Sequence, residues 1–405
     1  MISRYIEFSK KPFNTLFQLI IFFFLIPFLI SFFLGNTLVE KIIYFISSVI
    51  IISLTCEIIF LFFYRVSNGV HYQFLKKIEF KKLAYEPHPY LPFIFKKNKH
   101  LIGTSKVVYP LDPNILFSDL TTNNLGHLNG ENGDRDILVP KPKNLIRINC
   151  LGGSTTGNYI KENEKNYSYP LELEKVLRKK FNKNIEVNNC GQGGYNSADI
   201  LVRYALQTID TKPDFIIIYH AYNDIRSYLT PGFTSDYFHS RKNLGEVYWK
   251  YYLGSKIPNV PLNFINYLTN KFLFSLDERS TILEVIRKSE IDLNLDYSEG
   301  LKTYERNLQH IINLSLCNNV KVILSTYCFY LYPEIENDPL NKLYQKIVSK
   351  ENEIVKKLAI KNNLPLVDAN AEINKEQTNF LDSAHLSTQG MNLLAQCIGE
   401  KINLE

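Results

Sequence analysis

The chain has 405 residues, enough for two or more domains or for one large domain with additions, and its 45% hydrophobic and 21% charged content is ordinary for a folded protein. The net charge is +6, and between Arg65 and Lys106 nine basic side chains face two acidic ones, so the surplus sits in one belt. That belt suits anionic lipid headgroups; with no aromatic-basic stacking motif beside it, nucleic acid is the weaker partner, and the six cysteines, none in a C-x-x-C pair and most in apolar runs, argue against a disulfide framework or a cysteine metal site.

In chain order, the first feature is Leu16–Leu34, "LFQLIIFFFLIPFLISFFL", uncharged and close to the roughly 20 residues that cross a bilayer core. Ile42–Tyr64 is a second apolar run, broken only by Glu57, to which no role is assigned, and "GNTLVEK" between them allows only a tight turn. A cleaved signal peptide fits poorly, because the first run is too long and a second follows at once. The expectation is therefore a transmembrane hairpin over residues 1–65. Arg4, Lys10 and Lys11 precede it and Arg65, Lys76, Lys77, Lys81 and Lys82 follow it, while only Lys41, beside Glu40, lies in the turn. This bias predicts that both ends, and the main domain, face the cytoplasm, with membrane lipid as a partner.

Residues 66–143 are loop-like, rich in Pro, Asn and Gly ("YEPHPYLP", "NNLGHLNGENGD"), and read as a juxtamembrane segment packed on the domain that follows. From 144 to 405 the periodicity alternates. Strands are predicted at Ile146–Leu151, Ile185–Asn189, Asp214–His220, Val322–Tyr327 and Leu364–Val367. Helices are predicted at Leu171–Phe181, Ala198–Ile209, Leu301–Leu316, Leu340–Lys361 and Ser387–Ile402. Strand–helix alternation predicts a five-stranded parallel α/β sheet, with ligands beyond the carboxyl ends of the strands. Residues 225–299 interrupt it as an aromatic insertion holding Trp249, the only tryptophan, either a lid, a membrane-touching flap or an inert addition.

The first strand ends in "LGGSTTGNY", two glycines and then three hydroxyls. Such a loop either holds an anion on its backbone or presents a nucleophile. The phosphate motifs fail: Gly152 and Gly157 have Walker spacing, but Asn158 and Tyr159 stand where lysine and a hydroxyl are needed, and "GQGGYN" has Asn196 in place of a third dinucleotide-loop glycine. A nucleophilic serine needs a base, and the base an orienting group. Of the eight histidines, His220 ends a strand with no acid close before it, whereas His385 in "LDSAHLSTQG" has Asp382 three residues ahead. On a turn of helical character that spacing shares a face, so the carboxylate can hold the ring nitrogen turned away from the serine. Two strand ends offer oxyanion donors: Gly194 in "NNCGQGGYNS", through its backbone N–H, and Asn223 in "YHAYNDI", through its amide. Each also reads as plain turn chemistry.

Together these blocks resemble those of the SGNH hydrolases, also called GDSL-type esterases and lipases. "LGGSTTG" resembles the first block, with Ser154 as nucleophile; "NCGQGGYNS" the second, with Gly194 as oxyanion glycine; "AYND" the third, with Asn223 as amide donor; and "DSAHLS" the fifth, with Asp382 and His385 completing a triad. The match runs from about Leu145 to Ile402, and "YEPHPYLP … NNLGHLNG" resembles membrane-tethered members less specifically. It departs at Gly153, where the family commonly has aspartate, and at Ala221, where glycine is frequent. The resemblance implies a flavodoxin-like three-layer α/β/α fold and hydrolysis of an acetyl or short-chain ester of a carbohydrate or lipid, without metal or cofactor. It also implies an oxyanion hole made by the Ser154 N–H, the Gly194 N–H and the Asn223 amide. An O-acyltransferase using the same triad, and a membrane adaptor with an inactive site, are the alternatives.

Overall fold

A computed structural model describes residues 26–52, 85–86, 88, 90–101, 116–117, 120–163, 165–240 and 291–404. The chain divides into two compact units, residues 1–83 with 249–280, and residues 84–248 with 281–405. In the first, Ile26–Leu34 is helical, and a turn at 35–37 leads into a second helix over 38–52. The Glu40 carboxylate accepts the N–H groups of Asn36 and Thr37 at 2.8 and 3.0 Å, satisfying donors that the helix start would otherwise leave unpaired. Phe28, Phe33, Leu38, Ile43 and Ile51 are exposed along both helices. Among the described residues no helix is long and apolar enough to cross a membrane. The expected spans extend into 16–25 and 53–64, with Glu57, which lie outside the described residues, as do residues 66–84 of the loop-rich segment and 241–290 of the insertion, with Trp249.

The second unit holds a five-stranded parallel sheet built from β1 (Ile146–Leu151), β2 (Ile185–Asn189), β3 (Phe215–Tyr219), β4 (Lys321–Ser325) and β5 (Leu366–Val367). The spatial order is β5-β4-β3-β1-β2, all parallel. The α/β sheet expected from the periodicity is thus present. Its central strands are buried on both faces, as β-branched runs such as Ile216–Ile218 and Val322–Leu324 require.

The crossovers carry α1 (Tyr169–Phe181), α2 (Ser197–Leu206), α4 (Ser298–Cys317) and α5 (Pro339–Lys361); α3 (Asn223–Tyr228) opens the insertion and α6 (Thr388–Lys401) closes the chain. Their starts follow from sequence. Ser168 caps α1 by accepting from the Leu171 N–H ahead of Pro170, and Asn196 and Asp199 form a reciprocal capping box on α2. From β1 to β2 the chain moves one way across the sheet, and from β2 through β5 it moves the other. Right-handed crossovers therefore set α1 on one face and α2, α4 and α5 on the opposite one. The reversal falls between β1 and β3, the topological switch point where open α/β sheets bind ligands.

The segment before β1 is more ordered than a loop. Leu116–Phe117 joins Ile160–Glu162 and Lys165–Tyr167, which follow β1, in a small antiparallel sheet, and Tyr85–Glu86 with Ile94–Phe95 and His100–Leu101 with Leu120–Thr121 form two further antiparallel pairs. The Asn129 side chain bridges to the edge strand β2, its Nδ2 donating to Asn188 Oδ1 (3.0 Å) and its Oδ1 accepting the Asn189 N–H (2.7 Å). An edge that would otherwise offer free backbone groups is thereby covered.

At the opposite end of the sheet from the switch-point loops, Arg147 of β1 faces Glu186 of β2 across the ladder. Its guanidinium is fully buried, donating to Glu186 Oε1 (2.8 Å) and to the Thr211 carbonyl (2.5 Å). Removing one member of a buried pair strands the other charge. Glu186→Ala is expected to cost about 3–5 kcal/mol, read as a lower urea midpoint of the full chain, while pairing Arg147→Met with Glu186→Leu recovers much of the loss.

Candidate active site

β1 ends at Leu151, paired with Ile218 of β3. The next residue runs against the neighbouring strand: a Cβ on Gly152 would lie 2.4 Å from the Tyr219 carbonyl oxygen, so no side chain fits there. The chain then turns into one short helix, Ser154–Gly157, tied back by the Gly157 N–H to the Gly153 carbonyl (2.9 Å). This turn sorts the three hydroxyls. Thr155 and Thr156 point inward, Thr156 donating to the Tyr219 carbonyl (3.2 Å), and only Ser154 stays partly open.

His385 comes from the other end of the chain. Its Nε2 lies 2.9 Å from Ser154 Oγ and its Nδ1 2.8 Å from Asp382 Oδ2. Because the carboxylate accepts only, Nδ1 carries the proton and Nε2 accepts from the serine hydroxyl. The loop holding the pair is not helical, as the three-residue spacing suggested. It is a bend closed by a bridge between Phe380 and Leu386 and by the Leu381 N–H on the His385 carbonyl (2.8 Å). Asp382 makes it rigid: its Oδ1 accepts the N–H groups of both Ala384 and His385 at 2.7 Å, an Asx turn that leaves Oδ2 for the imidazole. The Ser383 carbonyl accepts the Tyr330 N–H (2.9 Å), pinning the loop to the segment after β4, and Ser387 then caps α6.

Asn223 opens α3 directly beyond β3. Its Nδ2 donates to the Tyr195 carbonyl at 2.8 Å, and a Cβ on Gly153 would fall 2.5 Å from that nitrogen. Glycine at 153, where the sequence departs from the resemblance, is what gives the amide its place. Gly194 adopts φ +79°, a left-handed conformation that side chains disfavour, between Gly193, whose Cβ would come 3.9 Å from Ser154 Cβ, and Tyr195, which anchors Asn223. Ser154, Gly193–Tyr195, Asn223 and the His385–Asp382 pair therefore converge at the switch point from four separate loops.

Sequence reasoning missed a second pair. His220, passed over for want of an acid before it, meets one after it: its Nε2 lies 2.6 Å from Asp224 Oδ2, both buried. The signal was present in "HAYND", where a strand-end histidine and a helix-start aspartate stand four residues apart.

The other nucleophile candidates are quiet. Burial pushes the Cys190 thiol up to about 12 and raises Cys150 further, so neither forms thiolate near neutrality. Among the described residues, no three His, Cys, Asp or Glu side chains come together as metal ligands.

A family model described as the GDSL-like lipase/acylhydrolase family matches residues 150–393. Similar solved structures include a mutant of an acetyl-xylooligosaccharide esterase from Geobacillus stearothermophilus, with 17% identity, 64% of this chain and 95% of that chain covered, and a TM-score of 0.39. They also include a lipase/acylhydrolase from Enterococcus faecalis, with 18% identity, coverage of 64% and 95%, and a TM-score of 0.37. A GDSL-like lipase from Bacteroides thetaiotaomicron gives 15% identity, coverage of 63% and 86%, and a TM-score of 0.35. No curated protein matches the chain.

Burial raises the Asp382 carboxyl, but the His385 imidazole and the two backbone N–H donors outweigh it and hold the group below its usual 3.8. A group depressed in this way adds stability above its unfolded value and loses that contribution as pH falls through the folded one. Carbon-13 titration of Asp382 is expected to give a midpoint below 3.8 in the wild type, and a higher one in His385→Ala, where burial acts with fewer opposing bonds.

Proposed function

The chain belongs to the GDSL-like lipase/acylhydrolase family, and from that premise we propose that it is a serine esterase acting on an acetyl or short-chain acyl ester of a carbohydrate or lipid. The observation that carries this is the unbroken chain from Ser154 Oγ through His385 to Asp382, with links of 2.9 and 2.8 Å. Ser154 Oγ attacks the ester carbonyl as Nε2 takes its proton, and Asp382 stabilises the imidazolium. The tetrahedral oxyanion is held by the Ser154 N–H, the Gly194 N–H and the Asn223 amide. Asn223 spends one amide hydrogen on Tyr195 and keeps the second for the oxyanion. His385 returns its proton to the leaving alcohol, and collapse gives the acyl-enzyme. Water, deprotonated by His385, then attacks that carbonyl; the carboxylic acid leaves and Ser154 recovers its proton.

Ser154→Ala is expected to abolish both hydrolysis of p-nitrophenyl acetate and labelling by a serine-directed phosphonate, and full activity in that variant would end the assignment. Asn223→Ala should slow turnover by roughly 100- to 1000-fold while labelling persists at a reduced rate.

The same proposal sets residues 1–65 in the membrane as a hairpin, residues 66–143 beside it and the esterase domain, 144–405 with its insertion 225–299, on the cytoplasmic side. Support comes from the exposed apolar side chains of the helices at 26–34 and 38–52, whose only charges, Glu40 and Lys41, adjoin the turn. Membrane-impermeant thiol labelling of the exposed Cys317 should fail in intact cells and succeed in opened ones; labelling in intact cells would put the domain outside.

A further inference from the structure

Asp224 follows Asn223 in α3 and is fully buried, yet its carboxylate gathers four donors. Oδ2 accepts the Ser197 N–H (2.8 Å) and His220 Nε2 (2.6 Å). Oδ1 accepts the Ser197 hydroxyl (2.5 Å) and the Tyr237 hydroxyl (2.8 Å). Ser197 Oγ is itself an acceptor for Asn307 Nδ2 (2.9 Å), which orients its proton toward Asp224. These donors belong to three separate pieces of chain. Ser197 starts α2, three residues beyond Gly194; His220 ends β3; Tyr237 lies in the segment after α3.

The two segments that Asp224 joins through Ser197 are those that carry the oxyanion donors. They are cross-linked twice: by Asn223 on the Tyr195 carbonyl, and by Asp224 on the Ser197 N–H and hydroxyl. His220 packs beside the serine loop. With Nε2 on Asp224, its Nδ1 faces the loop, 3.5 Å from where a Cβ on Gly153 would lie. A charge buried this deeply is costly unless it is fully hydrogen-bonded, and its presence pushes neighbours toward neutrality. Glu351, bonded to the Tyr228 hydroxyl at 2.8 Å, is raised well above its usual value by burial first and by Asp224 second.

We propose that Asp224 is a positioning residue of the oxyanion hole: without touching substrate, it fixes the spacing between the Gly194 loop and the Asn223 amide through Ser197 and His220. This rests on the esterase function proposed above. A donor set preorganised to a fraction of an ångström acts on turnover, because the oxyanion exists only along the reaction path.

The test uses the full-length chain in detergent with p-nitrophenyl acetate. Asp224→Ala is expected to lower kcat by about 10- to 100-fold with KM little changed, part of what loss of a donor outright costs. Asp224→Asn should recover most of that, since the Ser197 and Tyr237 hydroxyls can turn to accept from the new amide. In the Asn223→Ala background, Asp224→Ala should add only a few-fold, because both act on one group of donors. Should Asp224→Ala fail to fold, two milder variants decide. Ser197→Ala removes a link to the oxyanion loop and should lower kcat. Tyr237→Phe removes a bond to the same carboxylate from a segment carrying no donor, and should lower Tm while leaving kcat unchanged. Full kcat in both Asp224→Ala and Ser197→Ala, a loss confined to KM, equal kcat losses in Ser197→Ala and Tyr237→Phe, or full additivity with Asn223→Ala would each overturn the proposal. Ser154→Ala is the separate control: activity surviving there defeats the esterase function itself, whereas a dead Ser154→Ala with an unaffected Asp224 series defeats only the positioning role.

Discussion

The hydrogen-bonded ladder between β1 and β3 runs as far as Leu151 and Ile218, and one residue later Gly152 slides past the Tyr219 carbonyl with no room for a Cβ. Everything at the site inherits its position from that contact. The pairing decides where the strand must end, and the glycine lets the backbone turn sharply enough to leave Ser154 at the mouth of the switch point. The same pairing brings the residues after β3 alongside, so Asn223 arrives next to Gly153 by register rather than by loop choice. Because the direction of crossovers reverses here, the crossovers through α1 and α4 leave these two strand ends toward opposite faces of the sheet. The loop that brings His385 across 231 positions of sequence reaches Ser154 here.

Much of this was legible before any coordinates. The alternation of apolar runs and helical periods located five strands within a residue or two, since strands buried on both faces need unbroken β-branched stretches. Ser154, Asn223, Asp382 and His385 stood out because chemistry demands a nucleophile, a base, an orienting acid and donors, and strand ends supplied them in sequence. Two features were read wrongly for physical reasons. Asp382 and His385 sit three apart, which suggested a helical turn; the carboxylate instead captures backbone N–H groups of its own loop, a local competition that periodicity does not register. His220 was set aside because only an acid before it was sought, although the helix starting at Asn223 brings the fourth residue after it back onto the ring. The stretch 120–137 looked irregular because its order comes from asparagine side chains bonding to backbone, as in Asn123 accepting from Leu125 and His127, and no hydrophobic period marks such contacts.

Gly153 links these two lessons. By composition alone it is a lost side chain at a position where a carboxylate was expected from the resemblance. In the folded chain it is an occupied volume: Asn223 Nδ2 lies 2.5 Å from where its Cβ would sit, with His220 Nδ1 packed just beyond at 3.5 Å. The departure from the family pattern is thus coupled to neighbours on another strand.

Two histidine–carboxylate pairs therefore lie near one serine, in surroundings that differ. In the pair formed by His385 and Asp382, the side chains keep 21% and 26% of their exposure; in the pair formed by His220 and Asp224, they keep 2% and 0%. The exposure of His385 and Asp382 leaves that pair within reach of water, as the proposed general-base role requires. The inner pair lies out of reach of water, so removing either partner would leave the other polar group buried without its hydrogen bond. What burial takes away in reactivity it returns as rigidity. The bonds of Asp224 to Ser197 and His220 tie the start of α2 and the end of β3 to α3, while Tyr237 adds a bond from a segment that carries no oxyanion donor. Under the proposed esterase mechanism the oxyanion donors need a fixed spacing and the triad histidine needs access to water, and the depth of each pair beneath the surface matches that division.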